Sequence, residues 1–324
     1  MYSSSMPTSE RPIVPIVILV LLLSFCCTAQ ETVTAGAARK SDGNAGSIPP
    51  PLSTAGLKLQ EALVGEHDDY PTFTRDWIEV TWRAGDPIHL FVILPKGRTK
   101  PPVILYLYSF PTDTDRFLND EFCKFLAQGG FAAVGFVSAL TGQRYHNRPM
   151  KQWFVSELPE ALGSTVQDVQ MVLNYLAGRG DLDMNRVGMF GEGSGAAIGI
   201  MAAAVDPRIK ALDLVEPWGD WPDWLAKSTL VPEDERKDYV KPDFLKQVAA
   251  LDPVQWFAQV KVPVRLQWLG EPAVTPQIVS DRIAAAAPAQ TIVIPRKDAL
   301  EQYKAAKLKF FDWIADQLRP GSPR

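Results

Sequence analysis

The stretch that decides the fold is Arg186-Val187-Gly188-Met189-Phe190-Gly191-Glu192-Gly193-Ser194-Gly195-Ala196-Ala197-Ile198-Gly199-Ile200-Met201-Ala202-Ala203-Ala204. It opens on a strand-like apolar run, turns through three glycines within five residues, and continues as a small-residue helical run. Strand, sharp glycine-rich turn and helix together are the setting of a G-x-S-x-G nucleophile elbow. The outer glycines, Gly191 and Gly195, match that pattern. Its centre, where a nucleophile would stand, is Gly193, and Ser194 lies one place late.

Further apolar runs flank this stretch on both sides. They are Pro102 to Tyr108, Phe131 to Val137, Ile209 to Val215, Val264 to Leu269 and Thr291 to Ile294. Runs that are apolar on both faces suit strands of a parallel sheet covered by helices. Upstream, Trp77 to Trp82 and His89 to Leu94 read as two strands joined by a turn at Gly85-Asp86. Helical spacing appears between the runs. Val169, Val172, Leu173 and Leu176 share one face, with Ser164 and Gln167 as a capping box before it. Phe311, Ile314 and Leu318 share another, ended by Pro320-Gly321. This alternation predicts an open, mostly parallel α/β sheet flanked by helices. No internal repeat recurs at a fixed period. From Trp218 to about Val260 the rhythm breaks into a segment rich in tryptophan and proline. It is too long for a simple connection. It reads either as a lid over the carboxyl ends of the strands or as a helical insertion packing its own aromatic side chains.

At 324 residues the chain is long enough for one large α/β domain, and a net charge of −4 with no long basic run argues against nucleic acid. Arg11 followed by the apolar stretch Ile13 to Phe25 reads as a secretory signal spanning residues 1–29, cleaved after Ala29. That implies a secreted or periplasmic protein. Two alternatives stand beside it: an uncleaved membrane anchor over residues 13–25, and lipidation at Cys26. Residues 30–56 are poor in large apolar groups and read as a flexible linker, stiffened at Pro49-Pro50-Pro51, with the folded domain spanning 57–320. After cleavage only Cys123 remains; its apolar helical surroundings suit a buried thiol. Neither Cys nor His clusters at metal-ligand spacing, so no metal or other cofactor is implied.

With these elements in order, the chain resembles the α/β-hydrolase superfamily, above all the dienelactone-hydrolase and prolyl-oligopeptidase-like bacterial esterases. The resemblance runs from about Trp77 to Leu318. It is carried by Arg186 to Gly195 and by Asp206-Pro207-Arg208-Ile209-Lys210-Ala211. It implies an α/β-hydrolase fold with chemistry outside the carboxyl ends of the strands. It also implies a Ser or Cys nucleophile, then an Asp or Glu, then a His, in that chain order. In this sequence the nucleophile position falls on Gly193. The acid's loop offers only Glu271 before Pro272-Ala273-Val274. The loop after the last strand, Pro295-Arg296-Lys297-Asp298-Ala299-Leu300, holds no histidine, and none follows to Arg324. Ser109 and Phe110 fall where the family builds its oxyanion hole. With Glu192, Ser194 and Trp218 they make up the expected ligand region.

The expectation is therefore a hydrolase-fold protein whose Ser-Asp-His triad is not intact, with a binding or structural role and little or no catalysis. The alternative is an ester hydrolase or peptidase using Ser194, with His146 as an off-position base and Glu271 as the acid. Against that alternative, Ser194 is well placed simply to cap its helix. The expected ligand is a small ester, peptide or carboxylate. Arg116, Arg144 and Arg148 could rim a site for a carboxylate or merely be solvated surface charge. A membrane enters only through an uncleaved or lipidated N-terminus.

Overall fold

In a computed structural model the described residues are 50–107, 115–136, 138–140, 157–269, 272–296, 301, 304 and 311–321. The chain divides into two compact units, Met1–Gly46 and Ser47–Arg324. The first lies outside the described residues, and with it the expected signal and most of the expected linker.

The second unit is built on a nine-stranded sheet in the order β1-β2-β3-β5-β4-β6-β7-β8-β9. Strands β1 (Leu63–Asp69), β2 (Phe73–Val80), β3 (Ile88–Pro95) and β5 (Ala132–Phe136) pair antiparallel in turn. From β5 onward every pairing is parallel, through β4 (Pro102–Leu107), β6 (Asp183–Glu192), β7 (Ile209–Val215), β8 (Val264–Gln267) and β9 (Ile292–Ile294). Every residue of β5 is buried, as are five of the six in β4. That is why these strands read as unbroken apolar runs.

Successive side chains of a strand point to opposite faces. In β4, Val103, Leu105 and Leu107 enter one core with helices α2 (Leu158–Arg179) and α3 (Ser194–Val205). Ile104 and Tyr106 enter the other with helices α1 (Asp120–Gln128) and α9 (Asp312–Gln317). The expected faces hold: Val169, Val172, Leu173 and Leu176 are buried on α2, and Phe311, Ile314 and Leu318 are buried around α9. Cys123 is a free, buried thiol on α1. It donates to the Phe117 carbonyl at 3.2 Å, and burial raises its pKa.

Four expectations change. Strand β1 is an addition; its polar, exposed sequence hides it because it is an edge strand. A register shift falls at Gly65, where a Cβ would lie 1.9 Å from the Trp77 ring, so the strand follows its neighbour only with glycine there. The domain also begins before Leu57. Pro50–Leu52 form a turn of 3-10 helix, Leu52 is fully buried, and Gln170 and Gln167 donate to the carbonyls of Leu52 and Ser53 at 2.8 and 3.0 Å. Ser164 and Gln167 do not cap α2. The helix begins about two turns earlier with Glu157 as N-cap, because Leu158, Ala161 and Leu162 extend its buried face.

The fourth change is the tryptophan-rich insertion. It folds as α4 (Trp221–Lys227), α5 (Arg236–Tyr239), α6 (Pro242–Val248) and α7 (Pro253–Phe257), and α8 (Gln277–Ala286) follows between β8 and β9. Trp218, Trp221 and Trp224 are buried in the same core as the sheet. The rings of Trp218 and Trp224 stack at 4.8 Å, and Trp221 meets Trp224 edge-on at 5.7 Å. The Asp252 carboxylate accepts from the backbone N–H groups of Asp220, Trp221 and Val254, tying α4 to α7. These rings hold the insertion onto the domain as core; they do not form the face of a lid. No helix among the described residues is long and apolar enough to cross a membrane.

Candidate functional site

The elbow sits at the carboxyl end of β6, where the strand passes into α3. Its outer glycines are required by contact. A Cβ on Gly191 would lie 2.5 Å from the Gly195 carbonyl oxygen and 2.7 Å from the Ala196 backbone. A Cβ on Gly195 would lie 2.1 Å from the Leu107 carbonyl oxygen, so the start of α3 presses against the end of β4. Between them Gly193 takes φ 54° and ψ −114°, a conformation that side chains with a Cβ rarely adopt. Its N–H donates to the Val215 carbonyl at 2.8 Å, and its carbonyl accepts from Trp218 N–H at 3.2 Å and Ala197 N–H at 3.1 Å. The turn is thereby tied to β7 and to the start of the insertion.

Gly193 is itself the N-cap residue of α3, and no side chain caps that end. Ser194 is the first residue inside the helix and is fully buried. It is therefore not the helix cap that its residue type suggests. Glu192 ends β6 and is half-buried. Burial pushes its carboxyl above the ordinary range, and the charge of nearby Arg116 works against that shift. Arg116 thus reaches the field of the elbow from the 3-10 turn Asp115–Leu118, although its side chain is exposed.

Two histidines are far from this point. His67 lies on β1, 2.6 Å from Asp76, and His89 lies on β3, 3.4 Å from Glu79. In the sheet order β3 is three places from β6 and β1 is five places from it. At a strand spacing of about 4.8 Å, that is roughly 14 and 24 Å. His146, Glu271, Ser109, Phe110, Arg144 and Arg148 lie outside the described residues.

The structure adds one pair that residue-by-residue reading missed. Glu216 follows β7 directly, is buried, and holds φ 49°, a left-handed backbone that is uncommon for a residue with a side chain. Its N–H donates to Gln267 at 2.9 Å. Its carboxylate meets Arg296, just after β9, at 3.2 Å. A carboxylate and a guanidinium at the ends of two strands were both visible in the sequence. Their meeting depends on β7 and β9 being separated only by β8, which the sequence does not state. The carboxyl edge of the sheet thus carries Glu192 with Arg116 nearby, Glu216 with Arg296, and the buried Trp218 under the elbow. Among the described residues no group of three or more His, Cys, Asp or Glu side chains is placed to hold a metal ion.

No family model matches the chain, and no curated protein matches it by sequence. Solved structures do. An acetyl xylan esterase from a Paenibacillus species superposes with a TM-score of 0.63 at 16% identity, over 81% of this chain and 90% of that one. The chain has the α/β-hydrolase fold. Acetyl xylan esterase 1 from a Thermoanaerobacterium species gives 0.61 at 16% identity, over 80% and 88% of the two chains. Pyrococcus horikoshii acylaminoacyl peptidase gives 0.61 at 15% identity, over 78% of this chain and 43% of that one.

Proposed function

We propose that this α/β-hydrolase-fold protein binds a small ester, peptide or carboxylate ligand at the carboxyl edge of its sheet and hydrolyses it weakly or not at all. The observation that carries the reading is the backbone of Gly193. It adopts the strained turn of an elbow's central residue, yet glycine brings no hydroxyl or thiol to attack with. A side chain in such a conformation costs on the order of 1–3 kcal/mol, which an enzyme tolerates for its nucleophile and a binding protein need not. Arg296 stands after the last strand where the fold's histidine would be sought, and it is paired with Glu216. A guanidinium stays protonated and cannot serve as a general base. Arg116 and Arg296 supply positive charge suited to a carboxylate or to the carbonyl of an ester. Export through residues 1–29 belongs to the same reading.

The second reading is ester or peptide hydrolysis by Ser194, with His146 and Glu271 as base and acid. It draws its support from the esterases and peptidase of the same fold. The two separate on Ser194→Ala. Under the proposal, turnover of p-nitrophenyl acetate stays at the level of the unchanged protein. Loss of a measurable rate in that variant would overturn the proposal and favour the second reading.

A further inference from the structure

A cavity of about 480 Å3 opens at the other end of the sheet, among the amino ends of the parallel strands. Its wall includes Arg98, Lys100, Arg186 and Arg319, and no acidic side chain among the described residues lines it. The elbow lies at the far end of β6. Seven residues separate Arg186 from Gly193, about 23 Å of extended chain, so the two sites are distinct.

The four cations are not equivalent. Arg186 is paired with Asp183 at 2.6 Å and donates to the Leu318 carbonyl at 3.2 Å. Arg319 is paired with Asp316 at 2.8 Å. Arg98 and Lys100 form no hydrogen bond or ion pair among the described residues. Lys100 is near enough for its charge to favour ionised Asp183, but beyond ion-pair distance. Two cations without close partners among the described residues leave this cavity positive. Arg98 is also placed. Its Nε and Nη2 lie 3.4 Å from where a Cβ on Gly130 would stand, so the guanidinium rests over bare backbone. Lys100 holds φ 45° directly before Pro101. Strain of that kind in a residue with a side chain collects at ligand clamps.

We infer that this cavity is an anion site for a small ligand bearing a phosphate or sulfate group, with Arg98 and Lys100 as its principal contacts. An arginine fork matches two oxygens of a tetrahedral oxyanion, and lysine adds a point charge. The volume suits a small-molecule ligand. Arg98 and Lys100, without a hydrogen bond or ion pair among the described residues, match a dianion, while the paired Arg186 and Arg319 shape the wall. The inference stands independently of any activity at the elbow.

Isothermal titration calorimetry of the whole protein at constant ionic strength tests it, with inorganic pyrophosphate in one arm and sodium sulfate in the other. Saturable one-site binding is expected in at least one arm, and the arm that binds names the oxyanion. The double variant Arg98→Ala with Lys100→Ala should weaken it about tenfold or more, with an unchanged melting temperature because both side chains are exposed. Arg98→Lys, which keeps the charge and loses the fork, should weaken it by less. Lys246→Ala, exposed on α6 in the insertion, should leave it unchanged. Absence of saturable binding in both arms would overturn the inference. So would an equal loss in Lys246→Ala, which would mark general attraction to surface charge.

Discussion

The Glu192 carboxyl, one residue before the turn, carries the site's clearest pH signature. Burial holds its pKa above the ordinary 4.5, and Arg116 only moderates the shift. The folded protein therefore keeps this proton over a range in which the unfolded chain has lost it. Stability from this group is greatest below the unfolded value, falls as pH rises through the folded value, and is constant above it. Glu192→Gln should remove that fall, flattening melting temperature against pH from about pH 4.5 upward relative to the unchanged protein. Parallel profiles for the two proteins would show that Glu192 is solvated as an ordinary surface carboxylate. At this scale the sequence was informative where chemistry is local. Gly193, Ser194 and the missing late histidine are read directly. The Glu216–Arg296 pair was not, because its partners are 80 residues apart and meet only through the sheet order.

The elbow as an element depends on close backbone approach, and this yields contrasting outcomes for two glycines of α3. Gly195→Ala places a Cβ against the Leu107 carbonyl, a backbone group that cannot swing away. It should destabilise by about 3 kcal/mol in chemical denaturation. At Gly199 the nearest atom to an added Cβ is the Leu214 methyl at 3.4 Å. Gly199→Ala should therefore stay within about 1 kcal/mol of the unchanged protein, since the gain in helix propensity offsets the tight contact. Strands β7 and β8 are held by a buried pair in register. Arg265 donates to both Asp213 oxygens at 2.9 and 2.6 Å, and Gln267 adds a third bond at 2.6 Å. Asp213→Ala removes the fully buried acceptor of all three bonds and should cost about 3–5 kcal/mol. The inner parallel strands β4, β5 and β7 were legible because both of their faces are buried. Strand β1 was not: an exposed edge strand has no apolar alternation, and its pairing is fixed by Gly65 against Trp77. The tryptophans of the insertion announced burial, but the sequence could not say whether they faced a ligand or the core.

At the scale of the whole molecule, the second compact unit begins at Ser47, and the first buried anchor among its described residues is Leu52. Removing residues through Gly56 strips Leu52 and its bond from Gln170 and should lower stability by about 2–5 kcal/mol in chemical denaturation. The α/β-hydrolase fold was legible from the order of strands and helices, and superposition with the acetyl xylan esterases bears that fold out at 16% identity. That identity establishes the scaffold, and function rests on the site grafted onto it. On the proposed reading this scaffold keeps the elbow's backbone and lacks its nucleophile. The most direct test is the intact mass of the whole protein after exposure to a fluorophosphonate probe. The expected spectrum is a single unmodified species. A stoichiometric adduct mapped to Ser194, and abolished in Ser194→Ala, would contradict the account.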